Sequence, residues 1–155
     1  MKWPLAWYLT WTTYGTWLHG DARGSHWNRE GVPPDPALEA DMRARMTETA
    51  VLLTDDQRAL VRSAIERVCA ENGWPIHALH VRTNHVHIVL SAPAEAGALL
   101  RRVKAVASGA LSDAAGLPMA GRNGRRRWWT EKGNKVPVED DRALEEICHY
   151  VRDCQ

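Results

Sequence analysis

Apolar residues recur along the chain with two different periods, near two residues in some segments and near 3.6 in others. In residues 7–14, tryptophan and leucine alternate with more polar side chains, which predicts a β-strand. Residues 76–81 and 85–91 are two further short apolar runs, and the three-residue linker between them predicts a β-hairpin.

Helical spacing appears in three longer segments. The first follows Thr54-Asp55-Asp56-Gln57, which has the form of a capping box, and it stops at Asn72-Gly73. The second spans residues 94–114, and the third begins near Asp140. The apolar face of this last helix holds Leu144, Ile147, Cys148 and Val151.

Two segments show neither period. Residues 18–53 are rich in Gly, Pro, Asp and Arg, which predicts a loop-rich insertion with at best one short helix over 38–49. Residues 116–124 predict a flexible connector. A second β-hairpin should follow it, formed by residues 127–131 and 136–138 around Gly133-Asn134.

The predicted elements follow the order β-α-β-β-α-β-α. This order is typical of the α+β class and of its ferredoxin-like, split β-α-β arrangement, in which two helices cover one face of an antiparallel sheet. The final helix is an addition to that arrangement. Because 155 residues suffice for one hydrophobic core and are few for two, we expect a single domain over residues 1–155.

Charge is distributed unevenly along the chain, although the net charge is only +1. Residues 101–135 hold nine Lys or Arg against two acidic residues, and residues 138–155 hold six acidic residues against two arginines. A local excess of cations favours phosphate binding. A solvated arginine loop is the other interpretation.

The sequence shows no mark of a membrane span or a signal peptide, since it has no run of about twenty apolar residues. Its cysteines, Cys69, Cys148 and Cys154, are odd in number and lack the spacing of a zinc site, which predicts free thiols. We therefore expect a cytoplasmic protein without a membrane partner.

The candidate chemistry lies in residues 84–90. Because side chains alternate in a strand, His85 and His87 share one face. Their Cα atoms should lie about 6 to 7 Å apart, so two imidazoles can converge on one cation. Partly exposed or hydrogen-bonded strand histidines are the alternative interpretation, and His77 and His80 in the preceding strand have the pattern of ordinary sheet residues.

A candidate nucleophile, Tyr150, lies on the last predicted helix. It is about 120° from the apolar stripe, which leaves its hydroxyl free, although most helix tyrosines in such places are merely rim residues. The other two tyrosines, Tyr8 and Tyr14, both belong to the first predicted strand. Their even spacing predicts that they share one face of the sheet.

The order of elements, the segment Thr83-Asn84-His85-Val86-His87-Ile88-Val89-Leu90 in the second half of a hairpin, and a lone tyrosine on a final helix resemble a known family. This family is the single-tyrosine transposases of the HUH endonuclease superfamily, which include insertion-sequence transposases and REP-associated tyrosine transposases. The resemblance covers residues 7–14 and 54 to the end. It implies transesterification without a nucleotide cofactor, in which Tyr150 attacks a DNA phosphate and leaves a 5′-phosphotyrosine and a free 3′-OH.

The resemblance also implies a divalent metal ion, Mg or Mn, held by His85 and His87. The family's third ligand is a Gln or Asn one helical turn after the tyrosine, and here Cys154 stands four residues after Tyr150. Gln155 follows it, and on an ideal helix that residue turns towards the sheet. Gln155 is therefore the expected third ligand.

The implied partner is single-stranded or hairpin DNA, and a homodimer is possible. A catalytically silent nucleic-acid-binding module on the same fold is the alternative, with arginines on phosphates and tryptophans stacked on bases. The residues expected to bind DNA are Arg101, Arg102, Lys104, Arg125, Arg126, Arg127, Trp128 and Trp129.

Overall fold

The computed structural model describes residues 3–16, 23, 25–27, 30–46, 50–116 and 127–153. These residues contain ten helices and strands. Four of the strands form one antiparallel sheet in the order β4-β5-β1-β6. The elements are β1 (Ala6–Thr12), β2 (Ser25–Trp27), β3 (Glu30–Val32), α1 (Pro36–Ala44), α2 (Asp55–Asn72), β4 (Ile76–Val81), β5 (His85–Leu90), α3 (Ala96–Ala114), β6 (Asn134–Val138) and α4 (Asp141–Asp153).

The sheet order confirms the predicted ferredoxin-like fold. The two central strands, β1 and β5, are antiparallel with Leu9 opposite Ile88, and β4 and β6 are the edges. In the chain, α2 lies between β1 and β4, and α3 lies between β5 and β6. These are the two β-α-β units of the fold.

Helices α2 and α3 pack together on one face of the sheet, which we call the closed face. Helix α2 begins at Thr54 with both hydrogen bonds of the predicted capping box, and it ends at Gly73, whose φ of 69° is the left-handed cap conformation. The closed face is almost wholly apolar. Its fully buried side chains include Leu9, Trp11, Val61, Ile65, Val86, Ile88, Leu99 and Val103.

Helix α4 packs on the other face of the sheet, which we call the open face because one helix covers only part of it. A smaller apolar cluster lies beneath α4, where Cys148 and Val151 meet Val89 of β5. Next to this cluster, β5 presents His87 and His85 on the same face. The site described below therefore lies on the sheet beside α4.

The predicted hairpin of 127–131 with 136–138 is wrong. Both segments instead run antiparallel to β1: Trp129 bridges to Thr13, and Asn134 pairs with Thr10. The chain advances five positions from Trp129 to Asn134 while β1 advances three, so two extra residues bulge out of the sheet. Gly133-Asn134 has the local pattern of a hairpin turn, but both segments pair with the first strand, which is far away in sequence.

The bulge is held by Lys104 of α3. Its ammonium group donates to the carbonyl oxygens of Thr130 and Lys132, both at 2.8 Å. Lys132 has a φ of 64°, and a Cβ on the neighbouring Gly133 would lie 2.5 Å from the carbonyl oxygen of Thr10. Glycine at 133 is therefore what allows the chain to return to β1 after the bulge.

The predicted insertion has more structure than expected. It contains the β2–β3 pair and α1, which begins at Pro36 after an Asp35 cap, and α1 ends at Ala44 rather than continuing to 49. Val51 and Leu53, at its end, are buried in the closed-face core. Among the described residues no helix has the length and apolar character needed to cross a membrane.

Candidate active site

A row of polar side chains crosses the open face of the sheet. Residues that pair directly across antiparallel strands share a face, and the pairs here are His80 with His87, His87 with Thr10, and Thr10 with Asn134. His85 stands two residues from His87 on the same strand. The shared face of His85 and His87 is what strand alternation predicted.

The rings of His85 and His87 lie 4.5 Å apart between centroids, at an angle of 80°. In each ring Nδ1 already has a partner: the carboxamide oxygen of Asn84 lies 2.6 Å from His85 Nδ1, and the hydroxyl of Tyr8 lies 2.8 Å from His87 Nδ1. Nε2 of each ring is therefore the atom left to bind a cation. Two imidazole nitrogens so placed fit Mn, Zn, Ni or Co by ligand preference, while Mg usually takes oxygen ligands.

Both imidazoles are neutral near pH 7. Burial, and then the positive charge of Arg82, lower the pKa of His85 to about 4. Burial also lowers the pKa of His87 to about 4, together with the neighbouring His85 and His80. A neutral imidazole offers the lone pair that a metal needs, so the site requires no deprotonation before it binds a cation.

Tyr150 lies beside the histidine pair, in the last turns of α4. Its ring centroid is 6.3 Å from that of His87 and nearly perpendicular to it, and the side chain is 48% exposed. The structure thus brings Tyr150, His85 and His87 together on the open face. Tyr150 is accessible to a large substrate there.

The end of α4 is tied to β4 by two hydrogen bonds from the two residues that follow Tyr150. His80 Nδ1 lies 3.2 Å from the carbonyl oxygen of Val151, one of the helix-terminal carbonyls without a partner inside the helix. Arg152 donates to the carbonyl oxygen of His77 at 2.6 Å. His77 is the extra residue where the register between β4 and β5 shifts. Sequence reasoning treated both histidines as ordinary sheet residues and missed this tie.

Tyr8 is the second residue of the site that sequence reasoning missed. The prediction that Tyr8 and Tyr14 share a face is wrong, because β1 ends at Thr12 and the chain turns at Gly15, whose φ is 78°. Tyr14 packs against the closed-face core, whereas Tyr8 packs on the open face. Burial, and then the nearby Tyr150, raise the pKa of Tyr8 to about 12, so its hydroxyl stays protonated.

Three of the residues expected to bind DNA are part of the folded framework instead. Trp128 is 5% exposed and its indole N–H donates to the hydroxyl of Ser112, so its ring is not available to stack on a base. Trp129 is half-buried against Trp11 and donates to the carbonyl oxygen of Lys104. Lys104 itself holds the bulge, and burial lowers its pKa to about 8.

The predicted arginines divide into three groups. Arg101 and Arg102 are exposed on α3, in the layer that covers the closed face. Arg127 is exposed and its guanidinium carbon lies 5.9 Å from the ring centre of Tyr14. Arg125 and Arg126 lie outside the described residues.

The predicted third metal ligand, Gln155, also lies outside the described residues, as does Cys154. Within the described ranges, no three His, Cys, Asp or Glu side chains are grouped so that they could hold a metal ion. The described part of the site therefore offers two candidate ligands, His85 and His87.

Comparison with known proteins gives a family match, and two transposases are among the similar solved structures. The family model described as "Transposase IS200 like" matches residues 44–154. A REP-associated tyrosine transposase bound to a REP hairpin is similar over 97% of this chain, with 14% identity and a TM-score of 0.55, and this chain covers 66% of its length. A putative transposase from Deinococcus radiodurans is similar over 99% of this chain and 92% of its own, with 15% identity and a TM-score of 0.47. No curated protein matches the sequence.

Proposed function

The chain belongs to the IS200-like transposase family, and from this premise we propose that it cuts and rejoins single-stranded DNA through Tyr150, with a divalent cation on His85 and His87. One observation carries the proposal. Tyr150 and the two histidines, which are 63 or more residues apart in sequence, meet on the open face, with the ring of Tyr150 6.3 Å from that of His87.

In the proposed step, the hydroxyl oxygen of Tyr150 attacks a phosphodiester phosphorus. A Tyr–O–P bond forms at the 5′ side of the cut, and the bond from phosphorus to the 3′ oxygen breaks. The phenol gives up its proton, and the departing 3′ oxygen takes one up as a 3′-OH. No energy-rich cofactor is needed, because one phosphoester replaces another, and attack by a free 3′-OH on the phosphotyrosine reverses the step.

A divalent cation, when bound, would polarise the scissile phosphate and offset the negative charge that builds on its oxygens. His85 and His87 would hold it through Nε2, since their Nδ1 atoms have partners in the protein. Gln155 remains our proposed third ligand. Mn suits the two imidazoles by ligand preference, and the family resemblance favours Mg or Mn.

We propose hairpin-bearing single-stranded DNA as the substrate. The similar REP-associated transposase is bound to a REP hairpin, which supports this class of substrate. The exposed arginines Arg101, Arg102 and Arg127 are proposed phosphate contacts, together with Arg125 and Arg126. Binding through them should weaken with salt, because each phosphate contact on a single strand releases about 0.7 counterion.

The test uses a labelled DNA hairpin with a single-stranded flank, incubated with the protein and Mn and then denatured. We expect a protein–DNA adduct whose modified peptide contains Tyr150. Tyr150→Phe removes one oxygen and little packing, so it should bind the hairpin normally and form no adduct. Tyr14→Phe makes the same change in the closed-face core and should keep the adduct.

Three results would contradict the proposal. An adduct that persists in Tyr150→Phe would assign the nucleophile to another residue, and cleavage that gives only hydrolysed ends would indicate a metal-dependent nuclease without a covalent intermediate. Hairpin binding without cleavage under any divalent cation would favour the silent binding module. The burial of Trp128 already weakens the base-stacking form of that alternative.

A further inference from the structure

The Nδ1 atoms of the two candidate metal ligands each make a hydrogen bond to a side chain that is not itself a proposed ligand. Asn84 Oδ1 lies 2.6 Å from His85 Nδ1, and Tyr8 Oη lies 2.8 Å from His87 Nδ1. A histidine that ligates a metal through one nitrogen commonly donates from the other to a protein acceptor, which fixes the tautomer and the ring orientation.

We propose that Tyr8 is a positioning residue that holds His87 in the Nδ1–H tautomer, so that Nε2 carries the lone pair that binds the cation. In this arrangement His87 Nδ1–H donates to the Tyr8 hydroxyl oxygen. The inference rests on the proposed function, because it takes His87 to be a metal ligand.

The sheet register explains why Tyr8 reaches this position. Thr10 pairs with His87, and Tyr8 precedes Thr10 by two residues, so Tyr8 and His87 are diagonal neighbours on one face of the sheet. Diagonal neighbours are about 7 to 8 Å apart, a gap that aromatic side chains span. Their rings are nearly parallel, at 9°, with centroids 6.0 Å apart.

The Tyr8 ring is itself held in place. It packs against the open-face cluster beneath α4, which includes Ala6, Val89 and Val138. A phenol anchored by its ring has little freedom to move its hydroxyl away from His87. Tyr8 therefore links the orientation of the metal ligand to the packing of α4.

Asn84 positions the ring of His85 in the same way. A carboxamide oxygen can only accept, so His85 Nδ1 carries the proton in this contact. The backbone of Asn84 is fixed in turn, because the N–H and the hydroxyl of the fully buried Thr13 both lie within hydrogen-bonding distance of its carbonyl oxygen. The two candidate ligands thus receive the same kind of support, one from β1 and the other from the residue that precedes β5.

The test compares Tyr8→Phe with Tyr14→Phe, which removes the same hydroxyl from the other face of the sheet. The first measurement is the ¹⁵N NMR spectrum of the His87 ring in metal-free protein near pH 7. The second is the Kd for Mn, measured by calorimetry. We expect wild type and Tyr14→Phe to show His87 protonated at Nδ1. Tyr8→Phe should show mixed tautomers and bind Mn about 10- to 100-fold more weakly, as is typical when a hydrogen-bond partner of a metal ligand is lost.

A wild-type spectrum with His87 protonated at Nε2 would overturn the inference even if Tyr8→Phe did not fold. A Kd for Mn in Tyr8→Phe within twofold of wild type would also overturn it. If wild type shows the Nδ1–H tautomer but binds no Mn, the proposed function fails while Tyr8 still positions the ring. If Mn binds wild type and is lost in His87→Ala, but Tyr8→Phe changes nothing, the proposed function stands and the inference fails.

Discussion

The two faces of the four-stranded sheet share every strand but differ in what covers them. The closed face lies under two long helices, α2 and α3, and its contacts are almost entirely between apolar side chains. The open face lies under α4 alone, and it carries a row of polar residues, His80, His87, Thr10 and Asn134, of which the first three are half-buried. One strand, β5, supplies buried apolar residues to the first face and histidines to the second.

Because of this difference, the residues that stabilise the fold and the residues of the candidate site lie on opposite faces of the same sheet. The closed face buries most of the apolar surface and needs no polar group to be exact in position. The open face is only partly covered, so its half-buried imidazoles are neutral while the tyrosine beside them stays exposed. We therefore expect closed-face substitutions to lower the free energy of unfolding and open-face substitutions to lower DNA adduct formation, even when the two positions are adjacent in sequence.

The strongest test of this separation compares His87→Ala with Ile88→Ala, neighbours on β5 that point to opposite faces. His87→Ala should lower Mn-dependent adduct formation by at least about 100-fold, the scale for losing a group that stabilises transition-state charge. Ile88 is fully buried, so Ile88→Ala should lower the free energy of unfolding by about 2–5 kcal/mol. Denaturant unfolding and adduct yield measure the two effects, and equal losses of stability in both variants would break the comparison.

The bulge beside the closed face provides a second test. A Cβ at position 133 would meet the Thr10 carbonyl oxygen at 2.5 Å, and backbone atoms there cannot move aside cheaply. We expect Gly133→Ala to lower the free energy of unfolding by about 1–3 kcal/mol, as overpacked sites do. Gly31→Ala adds its methyl group to open space and should change little. Thermal unfolding of both variants checks this, and a fully stable Gly133→Ala would show that the bulge can be rebuilt.

A smaller effect is expected on the open face from Arg152, which ties the end of α4 to the carbonyl oxygen of His77. Losing one such exposed hydrogen bond removes about 0.5–1.5 kcal/mol. Arg152→Gln should therefore slow adduct formation by a factor of about 2 to 10 while leaving hairpin binding unchanged. Arg142→Gln alters an exposed arginine paired with Glu146 on the same helix and should have no effect. Equal rates in the two variants would mean that α4 is positioned by its apolar contacts alone.

A further expected effect is a pH dependence of stability from Lys104, which joins α3 to the bulge. Burial lowers its pKa to about 8 from the ordinary 10.5. Between these values the unfolded chain holds a proton that the native amine has lost, so the free energy of unfolding should rise with pH from about 8 to 10.5. The slope should be absent in Lys104→Met and retained in Lys135→Met, where the lysine is exposed. Thermal midpoints across this range test it, and a falling midpoint specific to wild type would contradict the pKa.

The elements that could be predicted from the sequence are those whose signals are local. The Thr54 capping box, the β4–β5 hairpin and the helical stripe of α3 each lie within one segment, and the structure has them within two residues of the expected bounds. The shared face of His85 and His87 followed from strand alternation in the same way. Local patterns were therefore enough to predict these elements and the shared face of the two candidate ligands.

The features that the sequence did not predict depend on contacts between distant segments. Two of these features join residues at least 79 positions apart: the pairing of β6 with β1 and the contact of Tyr8 with His87. The third, the burial of Trp128, depends on its contact with Ser112 of α3. A tryptophan beside an arginine run has the same local pattern whether it stacks on a base or fills a core. Only the register of the sheet separates the two.

The positions of two cysteines give each face its own chemical reporter. Cys69 is buried in α2 and Cys148 in α4, and burial raises the pKa of both thiols, so each should react with a thiol probe only when its own helix lifts from the sheet. In a Cys154→Ser background, the labelling rate at position 69 would report opening of the closed face, and the rate at position 148 would report opening of the open face. The native sequence thus allows the motion of α4 to be timed separately from global unfolding, before and after DNA is added.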